Sequence, residues 1–164
     1  MTDLSVLTRI TSDLIPYATN ARTHSPEQIA QIAASIKEFG FNNPILTDGD
    51  SGVVAGHGRL LAARKLGLKK VPVIELAHLT ETQKKAYIIA DNKLALNAGW
   101  DMEMLPLEMG ELQDEGFDLS LIGFDAAELD ALWFDGNFTP GSEGEQGNLG
   151  EKQMSKCPDC GCEF

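Results

Sequence analysis

Residues 53–67, VVAGHGRLLAARKLG, contain the pattern that decides the fold. A β-branched pair leads into the turn Gly56-His57-Gly58-Arg59, and an alanine- and leucine-rich stretch then runs to Gly67. β-branched residues are typical of a strand, the alanine- and leucine-rich stretch is typical of a helix, and glycine commonly follows a helix end. The sequence therefore predicts a strand, a glycine turn and a helix in immediate succession.

The glycine turn has the chemistry of an anion site. The N-terminus of a helix presents unpaired backbone N–H groups and about half a positive charge. Glycine lets the backbone approach a phosphate without an intervening Cβ atom, and Arg59 would add a planar guanidinium that matches phosphate oxygens. A turn that only packs a strand against a helix would use the same glycines, so the motif alone leaves both interpretations open.

The residues before this stretch predict a capped helix and a β-hairpin. Ser25 suits the N-cap, Pro26 suits the first helical position, and Gln28 lies where a capping box requires it. Apolar residues at helical spacing continue to Gly40, which ends the helix. NPILT and GVVA then flank the turn-rich DGDSG, which predicts two short strands joined as a hairpin.

The residues after Gly67 predict one more strand and three helices. VPVIEL reads as the strand, and Thr80 with Gln83 forms a second capping box that opens a helix to about Asn97. Two shorter amphipathic segments follow, around MLPLEMGEL and around AAELDALW.

Charge is distributed unevenly along the 164 residues. Residues 1–100 contain 11 basic and 9 acidic side chains, whereas residues 101–164 contain 2 and 16, which together give the net charge of −12. Near the turn the basic residues cluster at Arg59, Arg64, Lys65, Lys69 and Lys70. A local anion-binding face is therefore compatible with an acidic protein, although solvated helix faces would explain the same residues.

The composition excludes several classes of protein. A chain that is 43% hydrophobic and 23% charged has the composition of an ordinary globular protein. No apolar run approaches the roughly 18 residues that a membrane helix needs, and the first residues lack the order of a secretory signal. We therefore expect a cytoplasmic location and no membrane partner.

The three cysteines lie together in the final segment CPDCGCEF, which excludes a disulfide framework for the fold. Cys157 and Cys160 have the spacing of a zinc knuckle, and Cys162 could add a third ligand. The alternative is a reduced tail without metal, because a fourth ligand is missing. Residues 138–156 before it are rich in glycine and poor in apolar residues, which predicts a flexible linker.

The order of these elements resembles the ParB/sulfiredoxin superfamily, and specifically its ParB N-terminal domain, over about residues 8–97. Five landmarks carry the resemblance: Asn20-Ala21-Arg22 for the family's Asn-Pro-Arg, the helix from Gln28 to Phe39, Gly40-Phe41-Asn42-Asn43-Pro44-Ile45 for its Gly-x-x-Gln-Pro-Ile, AGHGRLLAARKLGLKKVPV for its Gly-Glu-Arg-Arg box, helix and strand, and Ala90-Asp91-Asn92-Lys93 for its Glu-Asn. Their order is more specific than any one of them.

The resemblance implies an α+β fold in which helices pack on a small mixed sheet, followed here by a short helical extension and a flexible tail. The expected domains are a ParB/sulfiredoxin-like nucleotide-binding domain at 1–100, an acidic helical extension at 101–137, the linker at 138–156 and the cysteine-rich segment at 157–164.

The resemblance also implies nucleotide binding, because members of the superfamily bind CTP, ATP or ADP with Mg²⁺. Position by position, the nucleotide-binding residues would be Asn20, Arg22, Gly56, His57, Gly58, Arg59 and Asn92. Asp91 and Asn92 would hold Mg²⁺, which commonly takes one or two protein oxygens beside the phosphates. His57, Arg59 and Asp91 would be the catalytic residues.

The chain departs from the family at His57 and Gly58, where the family box has Glu and then Arg. One phosphate-facing arginine is lost, and an imidazole stands where sulfiredoxin-like members have their catalytic cysteine, so we do not expect a sulfinic-acid reductase. His57 could be a general base, a phosphate donor or a packing residue. His24 is either a further site residue or only part of the loop before Ser25.

The acidic segment is a second departure. A partitioning ParB continues with a helix-turn-helix DNA-reading domain and a dimerisation domain, whereas this segment offers no basic recognition helix. We therefore do not expect a chromosome-partition role. With DNKLALNAGWD and Gly123-Phe124-Asp125, the chain most resembles stand-alone or methyltransferase-associated ParB-like proteins of phages and mobile elements.

Two functions of different class follow from the resemblance. The first is an Mg²⁺-dependent kinase or NTPase that acts on or with DNA, with hydroxymethylated bases of phage DNA as acceptors. The second is a non-catalytic, nucleotide-switched module that binds DNA or a partner such as a DNA methyltransferase. A nuclease ranks last, because the sequence lacks clustered carboxylates. The nucleotide, the acceptor and the oligomeric state, a homodimer included, stay open.

Overall fold

A computed structural model describes residues 4–133. In that range the strands are β1 (Val6–Ile10), β2 (Ile45–Thr47), β3 (Val53–Ala55) and β4 (Lys70–Glu75). The helices are α1 (Pro26–Phe39), α2 (His57–Lys65), α3 (Glu81–Asn97), α4 (Met104–Asp114) and α5 (Ala126–Trp133), with short 3₁₀ helices at Thr11–Asp13 and Leu119–Ile122. The expected hairpin, the strand after Gly67 and all the expected helices are confirmed.

The strands of the described region form one mixed sheet in the order β1-β4-β2-β3. β2 and β3 form the antiparallel hairpin, and β2 pairs in parallel with β4. The chain passes from β3 through α2 before it returns to the sheet as β4. The α+β fold with a small mixed sheet is therefore as the sequence predicts.

Strand β1 has no counterpart in the sequence prediction. It pairs antiparallel with β4, from Val6 opposite Ile74 to Ile10 opposite Lys70, and Arg9 forms an ion pair with Glu75. All five residues of β1 are exposed. An edge strand without a buried face need not alternate apolar and polar residues, so the period-two signal of a strand is missing.

The sheet is packed on both faces. On one face, α2 contributes Leu60 and Ala63 to a buried cluster with Leu14, Ile45, Val53, Val71 and Val73. On the other face, Val54 packs with Leu76 and with Ile88 of α3. Because successive strand residues point to opposite faces of a sheet, Val53 packs into the cluster on one face and Val54 into the cluster on the other. This packing fixes the point at which the chain leaves the sheet at Gly56.

The two expected capping boxes differ in outcome. At α3, the Thr80 side chain accepts from the Gln83 N–H while the Gln83 side chain accepts from the Thr80 N–H, so the box is complete. At α1, Ser25 Oγ accepts from the Gln28 N–H, but the Gln28 side chain instead contacts His24. The prediction of a capping box at Ser25 is thus only half right. The bond from the Ser25 N–H to the Gln28 side chain is missing, because the Gln28 amide oxygen contacts the His24 ring instead.

The acidic segment forms α4 and α5, as predicted. A ring contact between Phe117 and Phe39 of α1, with centroids 5.9 Å apart, links this segment to the first helix. Among residues 4–133, no helix combines the length and the apolar composition that a membrane crossing requires. The linker prediction at 138–156 and the zinc prediction for Cys157, Cys160 and Cys162 lie outside the described residues.

Candidate functional site

The residues that the sequence predicts for the site line one cavity of about 210 Å³. They come from the loop before α1, from the start of α2 and from the middle of α3: Asn20, Arg22, Gly56, His57, Gly58, Arg59, Asp91 and Asn92. We call this space the cationic cavity. Its wall also includes residues that the sequence analysis did not select for the site, among them Gln28, Ile32, Ala55 and Ala95.

Gly56 makes the turn between β3 and α2. It is the N-cap residue of α2, and its φ of 94° and ψ of 28° lie in the left-handed region that favours glycine. The Arg59 side chain folds back over it, since a Cβ atom on Gly56 would lie 2.9 Å from Arg59 Nη2. Glycine is therefore required at this position both for the turn and for the location of the arginine.

Arg59 is a half-buried cation with unused hydrogen-bonding capacity. Its Nη2 donates to the Pro44 carbonyl oxygen at 3.3 Å, while its Nε is buried and has no partner among the described residues. Burial lowers the pKa of Arg59, and the nearby Asp91 carboxylate partly opposes that effect. A buried donor without a partner costs free energy, so an anion in the cavity would satisfy both the charge and the N–H group.

Arg22 is held from two sides at the opposite wall. Its backbone N–H donates to Asn20 Oδ1 at 3.2 Å, and its Nη1 donates to Asn92 Oδ1 at 3.3 Å. Asn92 in turn donates through Nδ2 to the Ile88 carbonyl oxygen at 2.7 Å. The three predicted residues thus act as one unit that directs a second guanidinium toward the cavity.

His57 has one ring nitrogen already in use. Its Nε2 accepts a hydrogen bond of 3.1 Å from the backbone N–H of Tyr17. Burial lowers the pKa of His57, and His24 lowers it further. A neutral ring that accepts at Nε2 carries its proton at Nδ1. Of the three roles open to His57, this geometry supports a donor or packing role more than a general base, which would need a free lone pair.

His24 and Gln28 are site residues that sequence reasoning left as minor or missed. His24 Nδ1 lies 2.9 Å from Gln28 Oε1, and both side chains line the cationic cavity. The available signal was the position of His24 directly before the N-cap Ser25, from which a side chain can contact the first turn of the helix.

Asp91 is the exposed carboxylate of the cavity wall, and its side chain accepts no hydrogen bond from another described residue. Asn92 Oδ1 already accepts from Arg22. Within residues 4–133, no group of three or more His, Cys, Asp or Glu side chains could hold a metal. A magnesium ion would therefore rest chiefly on Asp91, with oxygens of a bound ligand completing its shell.

A larger apolar cavity of about 490 Å³ adjoins the cationic cavity. The two share Asn20, Arg22 and Asn92. The apolar cavity is otherwise lined mainly by Tyr17 and by one face of α3, including Ile88, Ile89 and Leu96. No local pattern predicts this cavity, because its two walls are far apart along the chain.

The fold and the site define an α+β domain with a cationic cavity at a helix N-terminus. The family model described as the ParB N-terminal domain matches residues 6–92. That match covers more than half of the chain, and the chain belongs to the ParB N-terminal domain family.

The chain is similar to individual ParB-like proteins. It is 51% identical over 82 residues to the ParB-like nuclease domain-containing protein YnaK of Escherichia coli (strain K12), an alignment that covers 50% of this chain and 94% of YnaK. The crystal structure of C-terminally truncated ParB from Caulobacter crescentus complexed with CTP-gamma-S matches with a TM-score of 0.63 at 22% identity, over 78% of this chain and 76% of that one. A Pnob8-like ParB-N domain matches more weakly, with a TM-score of 0.38 at 21% identity over 46% and 31%.

A second family model, described as the ParB-methyltransferase HTH domain, matches residues 103–153. The acidic segment, which the sequence analysis interpreted as an extension in place of a helix-turn-helix domain, is therefore similar to such a domain, and that interpretation is corrected. Its charge is unusual for a DNA reader, since residues 103–133 contain no Lys or Arg. The domain boundaries at 101, 138 and 157 stay predictions.

Proposed function

We propose that this chain binds a nucleoside triphosphate whose phosphates occupy the cationic cavity. The observation that carries the proposal is Arg59 at the N-terminus of α2, a half-buried cation whose Nε–H has no partner within residues 4–133. The same cavity contains Arg22 and the first backbone N–H groups of α2. Two guanidinium groups and a helix N-terminus around one small space are suited to a polyphosphate.

The base and sugar would occupy the adjoining apolar cavity. That cavity has the size and apolar character of a small-molecule site, and it opens from the cationic cavity at Arg22 and Asn92. The solved ParB with CTP-gamma-S, which shares the fold, supports a cytidine nucleotide as the first ligand to test. ATP is the second, because the residues of the cavity do not discriminate between the bases.

Magnesium, which the fold family implies, is compatible with the residues present. Asp91 supplies a carboxylate on the cavity wall, and Asn92 Oδ1 has a second lone pair beside the one that Arg22 uses. When bound, the ion would neutralise phosphate charge. The chain's own residues orient the phosphates: Arg59 and the α2 N–H groups from one side, and Arg22 from the other.

We further propose that the bound nucleotide undergoes phosphoryl transfer, either to water or to a hydroxyl group on DNA, including the hydroxymethyl group of a modified base. Transfer of this kind depends mainly on positioning and on charge stabilisation. Arg59 provides both, since it is fixed by Gly56 and Pro44. Residues 1–100, with a balance of charge near zero, can approach a DNA backbone, whereas residues 103–133 would repel it.

The test follows γ-labelled CTP and ATP with Mg²⁺ into free phosphate, unmodified DNA and DNA that contains hydroxymethylpyrimidines. Arg59→Ala should abolish label release and weaken nucleotide binding, because it removes the buried guanidinium. Arg9→Ala is the matched control, since Arg9 lies on the edge strand with Glu75 and not in the cavity. Binding of neither nucleotide to the unaltered protein would refute the proposed function.

The match to the ParB-methyltransferase HTH domain favours a second candidate, a nucleotide-switched binding module. In that case nucleotide changes the affinity for DNA or for a DNA methyltransferase without any need for cleavage. CTP-gamma-S and CTP would then change that affinity equally. A change with CTP alone would support transfer or hydrolysis, and no change with either would exclude the switch.

A further inference from the structure

We infer that His24, and not His57, is the group that accepts the proton from the attacking hydroxyl or water at the cationic cavity. The inference rests on the proposed function, because it assigns a catalytic role at the same site. The inference goes beyond the proposed function in two ways. It selects one of the two cavity histidines as the base, and it explains why this chain has Gly58 where the family has a larger residue.

The contact between His24 and Gln28 supports one position for the proton of the His24 ring. The Gln28 Oε1 atom, 2.9 Å from His24 Nδ1, accepts only, so we assign the ring proton to Nδ1; this assignment follows from the orientation of the Gln28 amide. A neutral imidazole with a proton at Nδ1 has a free lone pair at Nε2. His24 therefore presents a proton acceptor, and Gln28 serves as the orienting group that a histidine base requires.

His57 lacks this capacity. Its Nε2 lone pair accepts the 3.1 Å hydrogen bond from the Tyr17 N–H, and its remaining ring nitrogen is a donor. To act as a base, His57 would have to release Tyr17, which belongs to the loop before α1. The two histidines thus have complementary roles, with His57 holding the loop and His24 available for chemistry.

Gly58 makes the position of His24 possible. A Cβ atom on Gly58 would lie 3.0 Å from His24 Cε1 and 2.9 Å from Ile32 Cδ1. A side chain at residue 58 would therefore require the end of the Ile32 side chain and the His24 ring to shift. The departure of the chain from the family pattern at this residue creates the space that His24 fills.

The chemical step balances without a further reactant. The oxygen of water or of the acceptor hydroxyl forms a bond to the γ-phosphorus while the bond from the γ-phosphorus to the bridging oxygen breaks. The nucleoside diphosphate leaves, and the proton of the attacking oxygen passes to His24 Nε2 and then to solvent. The other charged or titratable side chains on the cavity wall are Arg22, His57, Arg59 and Asp91.

The experiment measures kcat for nucleotide cleavage, and Kd for CTP-gamma-S, in His24→Gln and Gly58→Ala. A general base contributes about 10²- to 10⁴-fold to a rate, so His24→Gln should lose about that much kcat while it keeps Kd within about threefold. Gly58→Ala keeps the base but shifts the His24 ring, so it should lower kcat by less. His78→Gln and Gly99→Ala are the matched controls, because His78 is exposed outside the cavity and a Cβ atom on Gly99 meets nothing.

A second readout does not depend on turnover. The chain has three histidines, so the ¹⁵N resonances of their rings can be assigned by substitution. His24 should show a protonated Nδ1 and a bare Nε2 that shifts when CTP-gamma-S is added. A proton on His24 Nε2, or a kcat in His24→Gln within threefold of the unaltered protein, would overturn the inference. Failure of the unaltered protein to bind either nucleotide would instead refute the proposed function. Binding without cleavage would refute the proposed transfer together with this inference, whereas cleavage that persists in His24→Gln would refute the inference alone.

Discussion

Gly56→Ala should damage both stability and anion binding, and the two losses have separate causes. The residue has a φ of 94°. Left-handed backbone costs an L-residue with a Cβ atom roughly 1–2 kcal/mol. For a folded region of this size each kcal/mol lowers Tm by about 4 °C. We therefore expect Tm to fall by about 4–8 °C.

The loss of binding comes from the displacement of Arg59. The new Cβ atom would lie 2.9 Å from Arg59 Nη2 and 3.1 Å from Nε. The guanidinium is the end of a flexible side chain, so it should move away from the cavity instead of breaking the fold. A hydrogen bond to a charged group contributes about 1.5–3 kcal/mol. At about 1.4 kcal/mol for each factor of ten, Kd for CTP-gamma-S or pyrophosphate should rise about 10- to 150-fold.

Calorimetric titration and thermal denaturation of four proteins check this reasoning: the unaltered chain, Gly56→Ala, Arg59→Ala and the double variant. Because both substitutions remove the same interaction, the double variant should bind no more weakly than Arg59→Ala. Gly99→Ala is the control, since that residue lacks both a left-handed φ and neighbours for a Cβ atom. A Gly56→Ala protein that melts early but binds with unaltered Kd would refute the assignment of Arg59 to the phosphates.

Two further predictions concern stability. Burial lowers the pKa of His57, so the folded state favours the neutral ring. The stability that this preference contributes is fully present above the pKa of histidine in the unfolded chain, near 6.5. It is lost as the pH falls below that value toward the lower pKa of the folded state. The drop in urea midpoint from pH 7.5 to pH 5.5 should therefore be smaller in His57→Gln than in His78→Gln, and equal drops would contradict this. Ser25→Ala should cost about 1 kcal/mol through the loss of its N-cap bond, and Thr80→Ala should cost at least as much, because the Thr80 hydroxyl also donates to Gln83 Oε1. Urea denaturation measures the loss of unfolding free energy in each variant. A larger loss in Ser25→Ala than in Thr80→Ala would contradict this prediction.

The secondary structure could be predicted because its signals are local. Ser25 and Thr80 lie at helix N-termini and Gly40 at a helix C-terminus. At such positions the residue type decides whether the terminal backbone groups of the helix form hydrogen bonds. β1 could not be predicted in this way. Its residues are exposed on both sides, and only its pairing with β4 makes them a strand.

The candidate site could likewise be predicted only in part. The residue types of the glycine turn, Arg22 and Asp91 could be selected from the sequence through their resemblance to family motifs, and the structure brings them to one cavity. Their hydrogen-bond partners could not. The Gln28 amide pairs with His24 instead of closing the capping box, and this exchange separates the two histidines.

The sequence by itself determined the order of the helices and strands, the glycine turn and the residue types of the site, because each depends on neighbours within a few positions. Only the tertiary structure decided which ring nitrogen is free and which arginine N–H group lacks a partner among the described residues. Tyr17 and His57 are 40 residues apart, and Arg22 and Asn92 are 70 apart. Contacts over such separations depend on how α1, α2 and α3 pack around the sheet, and the spacing of residues along the chain does not contain that information.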